Sequence, residues 1–160
     1  MKFNHLIEIN DPLNPLIDPL TREQLWRGLV LRAEDPVPFL VGLDGCRIVE
    51  RSDDGLRREL QFGALRVLDR VRFEPMRRVH YETDAQDTMP AATLVMTIEE
   101  PGPGLLFVRF EYDSGEDGAG DRVQEFYDQF RRNAYQQADI DTIKRIRQLA
   151  DEGLLNGVTH

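Results

Sequence analysis

The stretch Gly63-Ala64-Leu65-Arg66-Val67-Leu68-Asp69-Arg70-Val71-Arg72-Phe73 decides the fold. Gly63-Ala64 has the Gly-X form of a two-residue hairpin loop. The residues after it alternate: Leu65, Val67, Val71 and Phe73 share one side, and Arg66, Arg70 and Arg72 the other. A period of two marks a strand with one covered face and one wet face. The partner strand precedes the loop, in Arg58-Glu59-Leu60-Gln61-Phe62. Working outward, turn signals at Asp53-Asp54-Gly55, Pro75 and Pro101-Gly102-Pro103-Gly104 cut Cys46–Tyr112 into short runs of the same period, which predicts an antiparallel meander of six strands. In its last run Leu106, Val108, Phe110 and Tyr112 oppose Arg109 and Glu111.

The meander needs a cover, and the sequence supplies one downstream. After the acidic, glycine-rich segment 114–120, Asp121 and Gln124 can cap a helix running to about Leu154. Val123, Phe126, Tyr127, Phe130, Ala134 and Ala138 form an apolar stripe, which Ile143, Ile146 and Ala150 continue with some drift. Asp139-Ile140-Asp141 is the expected place for any bend. Upstream, Phe3–Asn10 suits a short strand, ended by Asp11-Pro12-Leu13-Asn14-Pro15. Thr21 and Gln24 make a capping box, with Leu20 and Leu25 placed as a staple. Trp26, Leu29, Val30 and Ala33 mark the buried face of that helix. Asp35-Pro36 stops it and can start a second short helix that buries Leu40 and Val41. The order is thus strand, two short helices, six-strand meander and long helix: an α+β chain.

With 160 residues, 41% hydrophobic and 31% charged, the chain reads as one globular domain spanning 1–160. No apolar run approaches the ~20 residues of a membrane span, and Glu8 and Asp11 interrupt any signal-peptide core, so the expected location is the cytoplasm. The net charge of -9 disfavours nucleic acid and anionic lipid as partners. Arg57, Arg58, Arg66, Arg70, Arg72, Arg77 and Arg78 are interleaved with Glu59, Asp69 and Glu74, and read as the solvated exterior of the sheet. Cys46 stands alone, and His5, His80 and His160 lie far apart. Neither a metal site nor a cofactor is expected.

The chain resembles the helix-grip fold of the SRPBCC superfamily, which includes START-type lipid binders, plant pathogenesis-related allergens and aromatic polyketide cyclases. Within it the likeness is to the AtaL-like family. The resemblance is carried by His5-Leu6-Ile7-Glu8-Ile9-Asn10-Asp11-Pro12, by Leu20-Thr21-Arg22-Glu23-Gln24-Leu25-Trp26-Arg27-Gly28-Leu29, and by Arg58–Gly63. It implies a curved antiparallel sheet closed over the C-terminal helix, with a cavity between them. In such a fold Leu60, Phe62, Val67, Val71, Phe73, Val79, Tyr81, Leu106, Val108, Phe110 and Tyr112 point inward. Phe126, Tyr127, Phe130 and Ala134 would face them from the helix.

These residues are the candidate ligand-binding set, competing with the plainer role of solid core. Asp69 shares the alternation of Val67 and Val71 and points inward if no bulge intervenes. A buried carboxylate needs a partner or takes up a proton, which makes Asp69 the candidate catalytic or ligand-orienting group. Tyr81, Tyr112 and Tyr127 offer hydroxyls on apolar rings. His80 reads as a surface imidazole and Trp26 as a packing anchor. The leading expectation is binding of a small hydrophobic molecule, whether aromatic, polyketide-like or lipid-like. The alternatives are a cyclase-like enzyme using the same cavity, or an interaction module with a homodimer as one form.

Overall fold

The computed structural model describes residues 1–86, 89–114 and 122–156. Strand β1 (Lys2–Asn10) is followed by helix α1 (Arg22–Glu34). Six strands come next: β2 (Gly45–Ser52), β3 (Gly55–Phe62), β4 (Leu65–Glu74), β5 (Arg78–Thr83), β6 (Ala92–Gly102) and β7 (Leu105–Asp113). Helix α2 (Arg122–Asp151) closes the order. The strands form one seven-stranded antiparallel sheet in the order β1-β7-β6-β5-β4-β3-β2. This is the curved α+β helix-grip arrangement expected from the alternation and the element order.

Local chemistry explains the joints. Gly63 adopts φ +56°, the left-handed conformation its hairpin loop needs. Thr21 caps α1 by accepting from Gln24 N at 3.0 Å, while Gln24 Oε1 accepts from Thr21 N at 2.9 Å. Buried Asn10 clamps the loop ahead of the helix, donating to Leu20 O at 2.6 Å and accepting from Leu20 N at 2.9 Å. One expected element is missing. The second short helix at Pro36 is instead a run of turns, in which Phe39 N and Leu40 N both bond to Pro36 O. Pro36 and Phe39 are buried and Leu40 is half-buried against the core, as expected, whereas Val41 is exposed.

The core lies between the concave sheet face and the C-terminal half of α2, with α1 wedged beside it. Val71, Val79, Met96, Val108 and Phe110 meet Ile143, Ile146 and Leu149 there. The N-terminal half of α2 differs from expectation. Phe126, Tyr127, Phe130 and Ala134 do not face the sheet; Phe126 is 69% and Phe130 65% exposed. The cause is helical phase. At about 100° per residue, those four positions centre roughly 125° around the axis from Asp139, Thr142, Ile146 and Leu149. A continuous helix cannot lay both stripes on one surface, and α2 runs unbroken through Asp139-Ile140-Asp141. The expected cap at Asp121 lies outside the described residues, as does the side chain of Val123. Phe130→Ser should therefore shift folding stability by no more than about 0.5 kcal/mol, the usual range for surface changes, as a denaturant titration would show.

Candidate functional site

Buried charge lies within this apolar layer. Arg58 on β3 stands directly opposite Asp69 on β4. Both point inward and both are buried. The pair is bidentate, with Arg58 Nε 2.9 Å from Asp69 Oδ1 and Nη2 2.6 Å from Oδ2. The remaining edge of the guanidinium donates to Ala33 O at 2.8 Å, a carbonyl in the last turn of α1, where the helix end is electronegative. Burial opposes the Arg58 charge, but the hydrogen bonds and charge of Asp69 more than offset it, and its pKa is raised. Asp69 thus faces inward as its alternation implied. Arg58 does not belong to the solvated exterior; it shares the inward parity of Leu56 and Leu60.

A second cluster forms where α2 crosses β1 and β7. Asp139 is fully buried, and each of its oxygens has a partner: Tyr112 Oη donates to Oδ1 at 2.7 Å, and His5 Nε2 lies 2.7 Å from Oδ2. Tyr112 stacks on Tyr135 of α2, with centroids 4.0 Å apart and planes 8° from parallel. Burial first, and then the charge of Asp139, pushes the Tyr112 phenol far above its ordinary value near 10. The folded state therefore holds this proton more tightly than the unfolded chain does. That contribution to stability is whole below about pH 10 and is lost as the pH climbs beyond it. In an alkaline titration followed by tyrosinate absorbance, Tyr112 should stay un-ionised until the protein unfolds, and Tyr112→Phe should remove that late component.

Arg32, in the last turn of α1, lies between the two clusters. It is buried, donates from Nε to Thr142 Oγ1 at 3.3 Å, and places its guanidinium carbon 5.1 Å from the centre of the Tyr81 ring. Arg58 lies 5.2 Å from the same ring. Burial opposes the charge of Arg32, but Tyr81, Tyr112 and Asp139 together outweigh it, and its pKa is raised. Among the described residues no carboxylate lies within 4 Å of it. The Tyr81 hydroxyl is close enough to Arg32 to interact with it, yet it is buried without a hydrogen bond of good geometry.

These groups surround a cleft of about 210 Å³. Arg32, Arg58, Asp69 and Tyr81 form its polar side; Leu40, Leu60, Leu94, Tyr112 and Tyr135 supply apolar and aromatic walls, and Thr83, Ala92 and Thr93 complete the rim. A larger groove of about 360 Å³ lies between residues 16–20 and the end of α2, but its carboxylates Asp18 and Asp151 are exposed and it lacks the buried charges.

Of the expected ligand-binding residues, Leu60, Tyr81 and Tyr112 line the cleft, together with Asp69. Val71, Leu106, Val108 and Phe110 are packed as core. Val67 and Phe62 belong to a small cluster with Leu43, and Phe73 meets Trp26 edge-on at 6.3 Å. Phe126, Tyr127, Phe130 and Ala134 stand outside. His80 sits on the outer face beside Glu74. Arg32, Arg58, His5 and Asp139 were missed, although each is a charged or titratable residue in the phase of an apolar face. Arg32 follows Leu25 and Leu29, His5 lies between Phe3 and Ile7, and Asp139 precedes Thr142 and Ile146.

The fold is shared with solved structures at low sequence identity. The di-domain aromatase/cyclase StfQ of the steffimycin biosynthetic pathway aligns with TM-score 0.69 and 10% identity, over 96% of this chain and 52% of that one. The Zhui aromatase/cyclase of Streptomyces sp. R1128 gives 0.60 and 12%, over 94% and 95%. Ara h 8.0201 gives 0.57 and 13%, over 92% and 99%. No curated protein matches by sequence. No helix among the described residues is long and apolar enough to cross a membrane. Residues 7–153 match the family described as acetylaranotin biosynthesis cluster protein L, AtaL, and the chain belongs to that family.

Proposed function

We propose that the protein binds a small aromatic molecule in the cleft between the sheet and α2. The observation that carries this reading is the pairing of stacked Tyr112 and Tyr135 with a buried polar side that holds an unsatisfied Tyr81 hydroxyl. Ligand sites are typically apolar concavities with a few placed polar groups. At about 210 Å³ the cleft is smaller than the roughly 300–1,000 Å³ of drug-sized sites, which favours one or two fused rings over a long acyl chain. The structural likeness to two aromatase/cyclases supports an aromatic ligand. Binding ranks ahead of turnover, because Asp69 is committed at both oxygens to Arg58 and Tyr127 lies outside.

The test is native mass spectrometry of freshly purified protein, followed by NMR titration with 2-naphthol, 2-naphthoate and stearate. A one-to-one aromatic adduct with shifts at Leu94, Tyr112 and Tyr135 is the expected result. Failure of both naphthyl compounds to bind, or tighter binding of stearate, would sink the reading.

A further inference from the structure

Among the described residues four charged side chains are buried, and three of them touch a strong partner while Arg32 does not. Asp69 and Arg58 satisfy each other at two contacts, and Asp139 is bonded at both oxygens by His5 and Tyr112. Arg32 is also buried, 6% exposed, yet Asp139 acts on it only from beyond 4 Å, and its near contacts are the neutral hydroxyls of Thr142, 3.3 Å from Nε, and Tyr81. A buried cation with no anion in contact is costly, and a bound carboxylate would supply that contact. The neighbouring Tyr81 hydroxyl is a second group of the same kind. It is buried in a residue only 6% exposed, lines the same cleft, and has no satisfactory bond. An arginine fork and a phenol hydroxyl are both donors, and together they match an oxyanion.

We propose that Arg32 and Tyr81 form an anion-receiving end of the cleft, and that the natural ligand is a small aromatic molecule bearing a carboxylate. This rests on the cleft being a binding site, and it goes further by assigning the charge of the ligand and the residues that take it. The geometry orients the ligand. Its carboxylate lies against the Arg32 guanidinium and the Tyr81 hydroxyl, and its ring system runs toward Leu94 and the Tyr112–Tyr135 stack. Arg58 stays bonded to Asp69 at two contacts and so does not compete for the ligand.

The experiment compares 2-naphthoate with its neutral isostere 2-naphthamide, by calorimetry and by NMR, on the wild-type chain and on Arg32→Met and Arg32→Lys. Charged hydrogen bonds are worth enough that naphthoate should bind the wild type about 10–100-fold more tightly than the amide. Arg32→Met should abolish that preference, and Arg32→Lys should restore part of it, because lysine keeps the charge and loses the fork. If Arg32→Met fails to fold, the ligand pair on the wild type decides alone. Equal affinities there overturn the anion assignment while leaving the aromatic cleft in place. Tight naphthoate binding with shifts on the outer sheet face instead of at Leu94 and Tyr135 overturns it as well. Binding of neither compound overturns both this inference and the reading beneath it.

Discussion

Arg58→Ala should cost the protein about 3–5 kcal/mol, the usual penalty for removing one partner of a buried ion pair. For a chain of this length that corresponds to a fall in Tm of roughly 6–20 °C. The loss comes less from the missing attraction than from the stranded carboxylate. Asp69 is 5% exposed and would keep its charge with no donor in place of Nε and Nη2. Ala33 O, at the end of α1, would lose its bond from Nη1 in the same step. Asp69→Ala should be comparably damaging, since it leaves the guanidinium unpaired. The double change Arg58→Met with Asp69→Leu should recover most of the loss, because an apolar pair of similar volume removes the desolvation problem at its source. Thermal and denaturant melts of the wild type, Arg58→Met, Asp69→Leu and the double variant form a double-mutant cycle. Simple addition of the two single losses in the double variant would contradict this account.

The second large effect lies where the helices cross. Gly28 on α1 faces Ile146 on α2, and a methyl group at Gly28 would come within 2.6 Å of Ile146 Cγ2 and 2.7 Å of Cγ1. Ile146 is fully buried with stiff β-branched geometry, so it has little room to yield. Gly28→Ala should destabilise by about 1–3 kcal/mol through overpacking, reduced by the roughly 1 kcal/mol that alanine gains over glycine inside a helix. Ile146→Ala should cost about 2–5 kcal/mol through the opposite fault, an empty space. Together the two should cost clearly less than their sum, since the methyl added at Gly28 occupies part of the volume vacated at Ile146. Equilibrium unfolding of both single variants and the double variant measures that coupling directly.

The parts of the fold legible in the sequence were those set by local chemistry. The Thr21–Gln24 capping box, the Gly63-Ala64 loop and the alternation of Leu65 to Phe73 each act within a few residues, and each has its expected consequence in the structure. Asp69 could be placed inward for the same reason. Arg58 was misplaced because it sits among arginines that do face water, so local composition outweighed a parity that pointed the other way. The long helix shows a similar conflict. The drift from Phe126 and Phe130 to Ile143 and Ile146 was visible, but a drift of this size means two separate faces, only one of which can meet the sheet. The remaining site residues depend on distance along the chain. His5 and Asp139 are 134 positions apart, and nothing local to either announces the other.

The pairing of β1 with β7 also bears on how the protein reaches its native state. Lys2 lies opposite Asp113, and Phe3 opposite Tyr112, so the first strand has its neighbour on one side only and that neighbour is the last strand of the sheet. The hairpins from β2 to β7 can form by short loop closures, one after another. The edge that holds His5 against Asp139 must wait for a closure spanning more than a hundred residues. Such long-range closures place a chain among the slower folders, on timescales of roughly milliseconds to seconds. The His5–Asp139–Tyr112 cluster should therefore be among the last parts of the interior to gain hydrogen-exchange protection during refolding. On a ribosome, β1 would emerge first and remain unpaired until the whole meander had followed it.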